Sequence, residues 1–253
     1  GKGAATSSGS ITIRTLNAGT LGVSGGISFA SGTSSSGTSG QLLFSTGSAT
    51  NGKGGDILVS IGAGTTYNGG DFILTAGETT AASSIGGQVL VTAGKGSHTT
   101  NGEGGAVVLT GGVGASMTGG MISLSTGYGT ATTSGSIAVK SVNAGTSGVS
   151  GSLRFSSGTT SNGASGAITI ETGAATSGKS GSIVLSVGDG NTGAGGDVEM
   201  FGGLSNGATG GAISIATGYG KTTSSGTLTI QSVNAGTAGV SGGLSFRSGT
   251  TSA

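Results

Sequence analysis

One spacing constrains this chain more than anything else in it. A short pattern opens on glycine and reads Gly, any residue, apolar, any, apolar, any, Ser or Thr, then Gly. It starts at Gly9, returns at Gly25, Gly40, Gly55 and Gly70, and runs on to Gly242. Sixteen such units start within 253 residues, most of them 15 residues long, with longer ones of 17 and 18 residues beginning at Gly70 and Gly87. The segment Gly166-Ala-Ile-Thr-Ile-Glu-Thr-Gly173 shows the pattern cleanly. Self-similarity at a fixed short period marks a chain built by repetition, in which each unit depends on its neighbours.

A longer order lies above the unit. Leu16-Asn-Ala-Gly-Thr20 recurs as Val142-Asn-Ala-Gly-Thr146 and Val233-Asn-Ala-Gly-Thr237, each followed one unit later by a phenylalanine, Phe29, Phe155 or Phe246. The array therefore groups into super-repeats over 9–134, 135–225 and an incomplete 226–253, read as one continuous domain. Gly1 and Ala253 both fall inside a repeat. Gly1 to Gly9 matches Gly127 to Gly135 in spacing, and Ser248-Gly-Thr-Thr-Ser252 matches Ser157 to Ser161. The expectation is a window on a longer array.

Within a unit the apolar residues alternate with small or polar ones, as in Ile11 and Ile13, Ile57 and Val59, Ile168 and Ile170, or Ile213 and Ile215. Alternation of period two is the signature of a strand with one buried face, and β-branched side chains favour it. Glycine makes up 61 of the 253 residues, a load that disfavours helix by ~1 kcal/mol per residue. One unit cannot fold alone. Two buried apolar side chains contribute roughly 3–6 kcal/mol, less than the cost of ordering fifteen residues at about 1–2 kcal/mol each. Stacked units would share a core and a hydrogen-bond ladder. The expected fold is all-β, a parallel β-solenoid of about 15 residues per coil, the alternative being a 30-residue coil with two units facing each other. In either, the glycines at positions 1 and 8 serve as corners with positive φ. The small residue at position 10 (Ala49, Gly64, Gly96, Gly114, Gly129, Ala175 or Gly220) faces large side chains across a thin core.

Composition excludes most chemistry. There is no cysteine, hence no disulfide framework or thiolate, and His98 is the single histidine. Charged residues make up 7% and the formal net charge is +1, which gives no field to draw in nucleic acid or an anionic membrane. No stretch is long and apolar enough to insert into a bilayer. No cofactor and no enzymatic activity are expected. His98 sits near Ser97 and Glu103 in the longest loop without a supporting motif, and reads as an exposed loop histidine. Asp197 and Glu199 lie two apart on one segment without a basic or aromatic subsite, and read as a solvated face. Asp56 and Asp71 hold position 2 of consecutive units, where a hard cation such as Ca²⁺ could bridge them, unless Lys53 relieves the charge instead. Five Asn-Gly pairs, such as Asn51-Gly52 and Asn162-Gly163, read as tight turns.

The sharpest feature is apolar. Leu43, Leu58, Ile73, Leu90 and Val108 occupy the outward position 4 of five consecutive units. A contiguous apolar ladder of this kind marks an interface, here expected to pack against another copy or another part of the chain.

Units such as Ser180-Gly-Ser-Ile-Val-Leu-Ser-Val-Gly188 resemble the Gly/Ser/Thr-rich arrays of very large secreted or cell-surface proteins of microbes and algae, including adhesin-like and filament-forming β-solenoids. The resemblance covers the whole chain and carries no catalytic residues. It implies an extracellular or cell-surface structural segment of a fibre, stalk or adhesin rod, with self-association or end-to-end continuation as its partnership. Unit length and Ser/Thr content also resemble ice-binding solenoids, so a surface-, glycan- or ice-binding module is the alternative. Outward pairs such as Thr12/Arg14 and Thr169/Glu171, however, break any regular Thr ladder.

Overall fold

The computed structural model describes residues 8–250. The matches of Gly1 to Gly9 and of Ser248 to Ser252 fall partly outside them. Among the described residues there is no helix, no strand and no buried side chain. The total accessible surface is 24906 Å². A globular protein of 23.1 kDa would expose about 9,700 Å² and its unfolded chain about 33,500 Å². The β-solenoid and its two-unit variant are thus both incorrect.

The physical reason lies in where the backbone hydrogen bonds go. A solenoid needs them between the apolar segments of successive coils. Among the described residues every backbone bond is local, the widest joining the Gly105 N–H to the Gly94 carbonyl at 2.9 Å. The apolar segments consequently have no partner, and two large side chains per unit do not offset the entropy of so glycine-rich a backbone.

What repeats in three dimensions is a closed loop. The glycine at position 1 of a unit donates its N–H to the carbonyl of the glycine at position 8 of the unit before. This clasp is seen at Gly120 to Gly112 (2.8 Å), Gly135 to Gly127 (3.1 Å), Gly211 to Gly203 (2.8 Å) and Gly226 to Gly218 (3.0 Å). The long units close the same way, Gly87 to Gly77 at 2.9 Å and Gly105 to Gly94. In two units without the backbone clasp, position 7 bridges the same ends: Thr15 Oγ1 donates to the Gly25 carbonyl at 2.9 Å and Thr46 Oγ1 to the Gly55 carbonyl at 3.0 Å.

The close approach of position 7 explains several position-1 glycines better than corner geometry does. A Cβ at position 1 would meet the side chain at position 7: Thr15 Cγ2 at 3.2 Å from Gly25, Ile61 Cγ2 at 2.9 Å from Gly70, Val187 Cγ1 at 2.9 Å from Gly196. Glycine at position 1 is therefore steric, not conformational. Positive φ occurs elsewhere, at Gly37 (105°), Gly163 (119°) and Gly193 (98°), all at position 13, and at Ser83 (58°). Each of those three glycines ends a bend, over 35–37, 161–163 and 191–193. Bends recur in this register along the chain, at 50–52, 65–67, 115–117, 130–132, 176–178, 206–208 and 221–223.

Position 10 is also reassigned. Instead of facing apolar side chains, it faces the returning backbone of its own loop. A Cβ on Gly129 would lie 2.6 Å from the Thr133 carbonyl oxygen and 2.9 Å from that of Thr132; on Gly220 it would lie 2.7 Å from that of Thr223. The half-buried residues agree. Thr15, Ala76, Ala93 and Gly111 hold position 7, and Gly96, Gly129 and Gly220 hold position 10. What shielding exists is concentrated where the loop closes.

The chain divides into two compact units, Gly1–Ser125 and Thr126–Ala253. The first contains the clasps at Gly77, Gly94 and Gly112, the second those at Gly127, Gly203 and Gly218.

Gly220→Val is expected to open its loop and release the Gly226–Gly218 clasp. Loss of that bond, worth a net ~1 kcal/mol, lowers the closed population about fivefold, read from the temperature coefficient of the Gly226 amide proton. Gly218→Ala, whose Cβ meets nothing within 4 Å, leaves the coefficient unchanged.

Candidate functional site

The backbone clasp forms at six unit junctions among the described residues, and the three units that carry Asn-Ala-Gly-Thr lack the glycine it needs. Position 8 is Leu16, Val142 or Val233 rather than glycine. The chain closes instead by a tight turn, with Gly22 N–H donating to the Gly19 carbonyl at 3.3 Å, Gly148 to Gly145 at 3.4 Å and Gly239 to Gly236 at 3.2 Å. The alanine in each turn packs alike: a Cβ on Gly22, Gly148 or Gly239 would stand 3.4 Å from the Cβ of Ala18, Ala144 or Ala235. The three Asn-Ala-Gly-Thr segments thus share one local turn geometry.

Just before two of these turns lies a cleft. Arg14, Thr15, Leu16 and Asn17 line about 350 Å³ in the first compact unit. Lys140, Ser141, Val142 and Asn143 line about 420 Å³ in the second. The linings correspond residue for residue as cation, hydroxyl, branched aliphatic and carboxamide. The third copy, Gln231-Ser-Val-Asn234, keeps all but the cation. Sequence reasoning noted the Asn-Ala-Gly-Thr recurrence but passed over the cation in front of it. The signal was available in aligning Arg14 with Lys140.

The apolar ladder is exposed in full. Leu43, Leu58, Ile73, Leu90 and Val108 all stand free, Leu58 at 86% exposure, and the flanking Ile57 and Val59 remain 60% and 64% exposed. Position 4 is the most open of the three, so the period-two alternation survives locally although no face is covered.

The other candidates are not brought together. Lys53 Nζ donates to Asp56 Oδ2 at 2.8 Å, both side chains about three-quarters exposed. This is the only ion pair among the described residues, and Asp71 takes no part in one. No group of three or more His, Asp or Glu side chains converges among the described residues. His98 organises its own loop: Nδ1 accepts the N–H groups of Thr100 and Asn101, each at 3.3 Å, and its carbonyl accepts Gly102 N–H at 3.2 Å. Among the described residues no hydrogen bond links His98 to Ser97 or Glu103, or Asp197 to Glu199. No helix there is long and apolar enough to cross a membrane.

No family model, curated protein or solved structure matches the chain.

An exposed ion pair is worth at most about 1 kcal/mol and is screened by salt. Lys53→Ala is therefore expected to alter local protection around Asp56 less than about fivefold at low ionic strength, with no difference at 1 M salt. Hydrogen exchange of residues 53–56 at both salt levels checks this.

Proposed function

We propose that this chain is a structural segment of an extracellular fibre, stalk or adhesin, and that it self-associates through the ladder of Leu43, Leu58, Ile73, Leu90 and Val108. The carrying observation is the exposure of every large apolar side chain at positions 3, 4 and 5. The chain exposes about 15,000 Å² more than a globular protein of its mass, while a stable protein–protein interface needs only about 1,200–2,000 Å². Burying exposed apolar side chains favours association at about 25 cal/mol per Å² of apolar area, and another copy offers the same repeated pattern as its partner. The secreted placement rests on the resemblance to Gly/Ser/Thr-rich microbial and algal arrays.

Replacing Leu58 and Ile73 together with lysine places two cations inside the ladder. The wild-type chain is expected to form species whose sedimentation coefficient rises with concentration, and the double variant to sediment as a monomer throughout. Unchanged assembly of the variant would rule out the ladder as the interface.

A second reading, recognition of an acidic glycan, is supported by the matched clefts. An ammonium or guanidinium group beside a carboxamide, a hydroxyl and an aliphatic patch suits a sugar carboxylate or sulfate with an apolar ring face. Arg14→Gln with Lys140→Gln copies the third, cation-free version of the cleft. Retention on an immobilised uronic-acid polymer at low salt is expected from the wild type and is lost in the double variant. Equal retention of both refutes this reading.

A further inference from the structure

The Asn-Gly pairs form turns, and the structure also sorts them chemically. Asn51, Asn101, Asn162 and Asn206 stand within bends, Asn68 directly after one, and all five are exposed. In four pairs the following glycine is unencumbered. The backbone N–H groups of Gly52, Gly69, Gly163 and Gly207 donate to no acceptor among the described residues. No atom lies within 4 Å of where a Cβ would be on Gly52, Gly69 or Gly207, and Gly163 has the left-handed φ of 119° that only glycine adopts without strain. The fifth pair is held. Gly102 N–H is bonded to the His98 carbonyl at 3.2 Å and the Asn101 N–H to His98 Nδ1 at 3.3 Å. A Cβ on Gly102 would lie 2.6 Å from both the nitrogen and the carbonyl oxygen of His98.

We infer that Asn51, Asn68, Asn162 and Asn206 are sites of spontaneous deamidation through a cyclic imide, and that the His98 turn protects Asn101. The backbone nitrogen of the following glycine attacks the asparagine side-chain carbonyl carbon. A ring N–C bond forms, the bond to the side-chain nitrogen breaks, and that nitrogen leaves as ammonia with the proton from the glycine N–H. Water then opens the imide at either carbonyl, giving aspartate or isoaspartate. The net change is asparagine plus water to a carboxylic acid plus ammonia, with no redox partner. Attack requires a free backbone nitrogen, an unhindered following residue and a backbone able to rotate into the ring geometry. These exposed bends meet all three conditions, since the side-chain bonds near them, from Thr160 Oγ1 to the Asn162 carbonyl at 3.3 Å and from Ala208 N–H to Ser205 Oγ at 3.0 Å, leave the glycine nitrogens free. Each conversion adds a carboxylate to a loop, so four of them take the formal charge from +1 to −3. If the chains self-associate through the apolar ladder, this covalent ageing adds like-charge repulsion between copies.

The test is timed incubation of the intact chain at neutral pH, with peptide mapping by mass spectrometry and enzymatic methylation of isoaspartate. Asn51, Asn68, Asn162 and Asn206 are expected to convert severalfold faster than Asn17, Asn143, Asn191 and Asn234. Those four are equally exposed but precede alanine or threonine. Asn101 is expected to lag the four fast sites about fivefold, the factor one net hydrogen bond supplies, and His98→Ala, which removes the ring nitrogen but keeps the carbonyl that holds the Gly102 N–H, is expected to leave Asn101 slower than the four fast sites. Equal rates at all nine asparagines overturn the inference, as does an Asn101 that converts with the fast group in the wild type. Mapping is independent of assembly. A chain that never associates would therefore refute the proposed function, while the site-by-site rates would still decide the chemistry.

Discussion

The hydrogen bond from the glycine at position 1 to the glycine carbonyl at position 8 of the preceding unit is the constraint on which the remaining order depends. At six junctions among the described residues it closes a loop, of nine residues in Gly112 to Gly120 or Gly218 to Gly226. Closing so short a loop brings position 7 against position 1 and position 10 against the backbone at positions 13 and 14. Both approaches leave no room for a Cβ. Several position-1 glycines follow from the close approach of position 7, and the small residue at position 10 from that of the backbone. In two units without the clasp, Thr15 and Thr46 place a hydroxyl bond across the same gap. Where position 8 is Leu16, Val142 or Val233, the clasp is replaced by a tight turn, and beside two of these turns the clefts open.

The spacing of the bends and the turns at Asn-Gly pairs such as Asn162-Gly163 were legible in the sequence, whereas positive φ at positions 1 and 8 was not found among the described residues. The Asn-Ala-Gly-Thr segments prove alike in their turn bonds and alanine packing. The architecture was not legible. Alternation at Ile57 and Val59 shows that two side chains point the same way, not that another segment lies beneath them, and both remain more than half exposed. The same residues at positions 1 and 10 fit a solenoid corner or a closed loop, and only the atoms that a Cβ would meet separate these. Among the candidate residues, Lys53 beside Asp56 was anticipated as the alternative to a bridging cation, whereas the pairing of Arg14 with Lys140 was overlooked. The charged position lies just outside the recurring tetrapeptide, where an alignment on Asn-Ala-Gly-Thr alone does not reach.

A chain ordered only at its loop closures has unusual liabilities and uses. Its large apolar side chains stand exposed along the repeats, which is what the proposed self-association would use. Its loops are open to water, so their chemistry is governed by local sequence and by the few hydrogen bonds within each bend. The His98 turn shows how little is needed to distinguish one loop from the next: one ring nitrogen and one carbonyl gather three backbone N–H groups.

Residue-resolved hydrogen exchange on the dilute chain tests the central claim most directly. The amides of Gly120, Gly135, Gly211 and Gly226 should exchange more slowly than those of Ile57, Leu58 and Val59 and their equivalents, which should exchange as an unprotected chain does. Continuous protection through the apolar segments of successive units, at or above that of the clasp glycines, would reveal an inter-unit ladder and contradict a chain ordered only at its clasps.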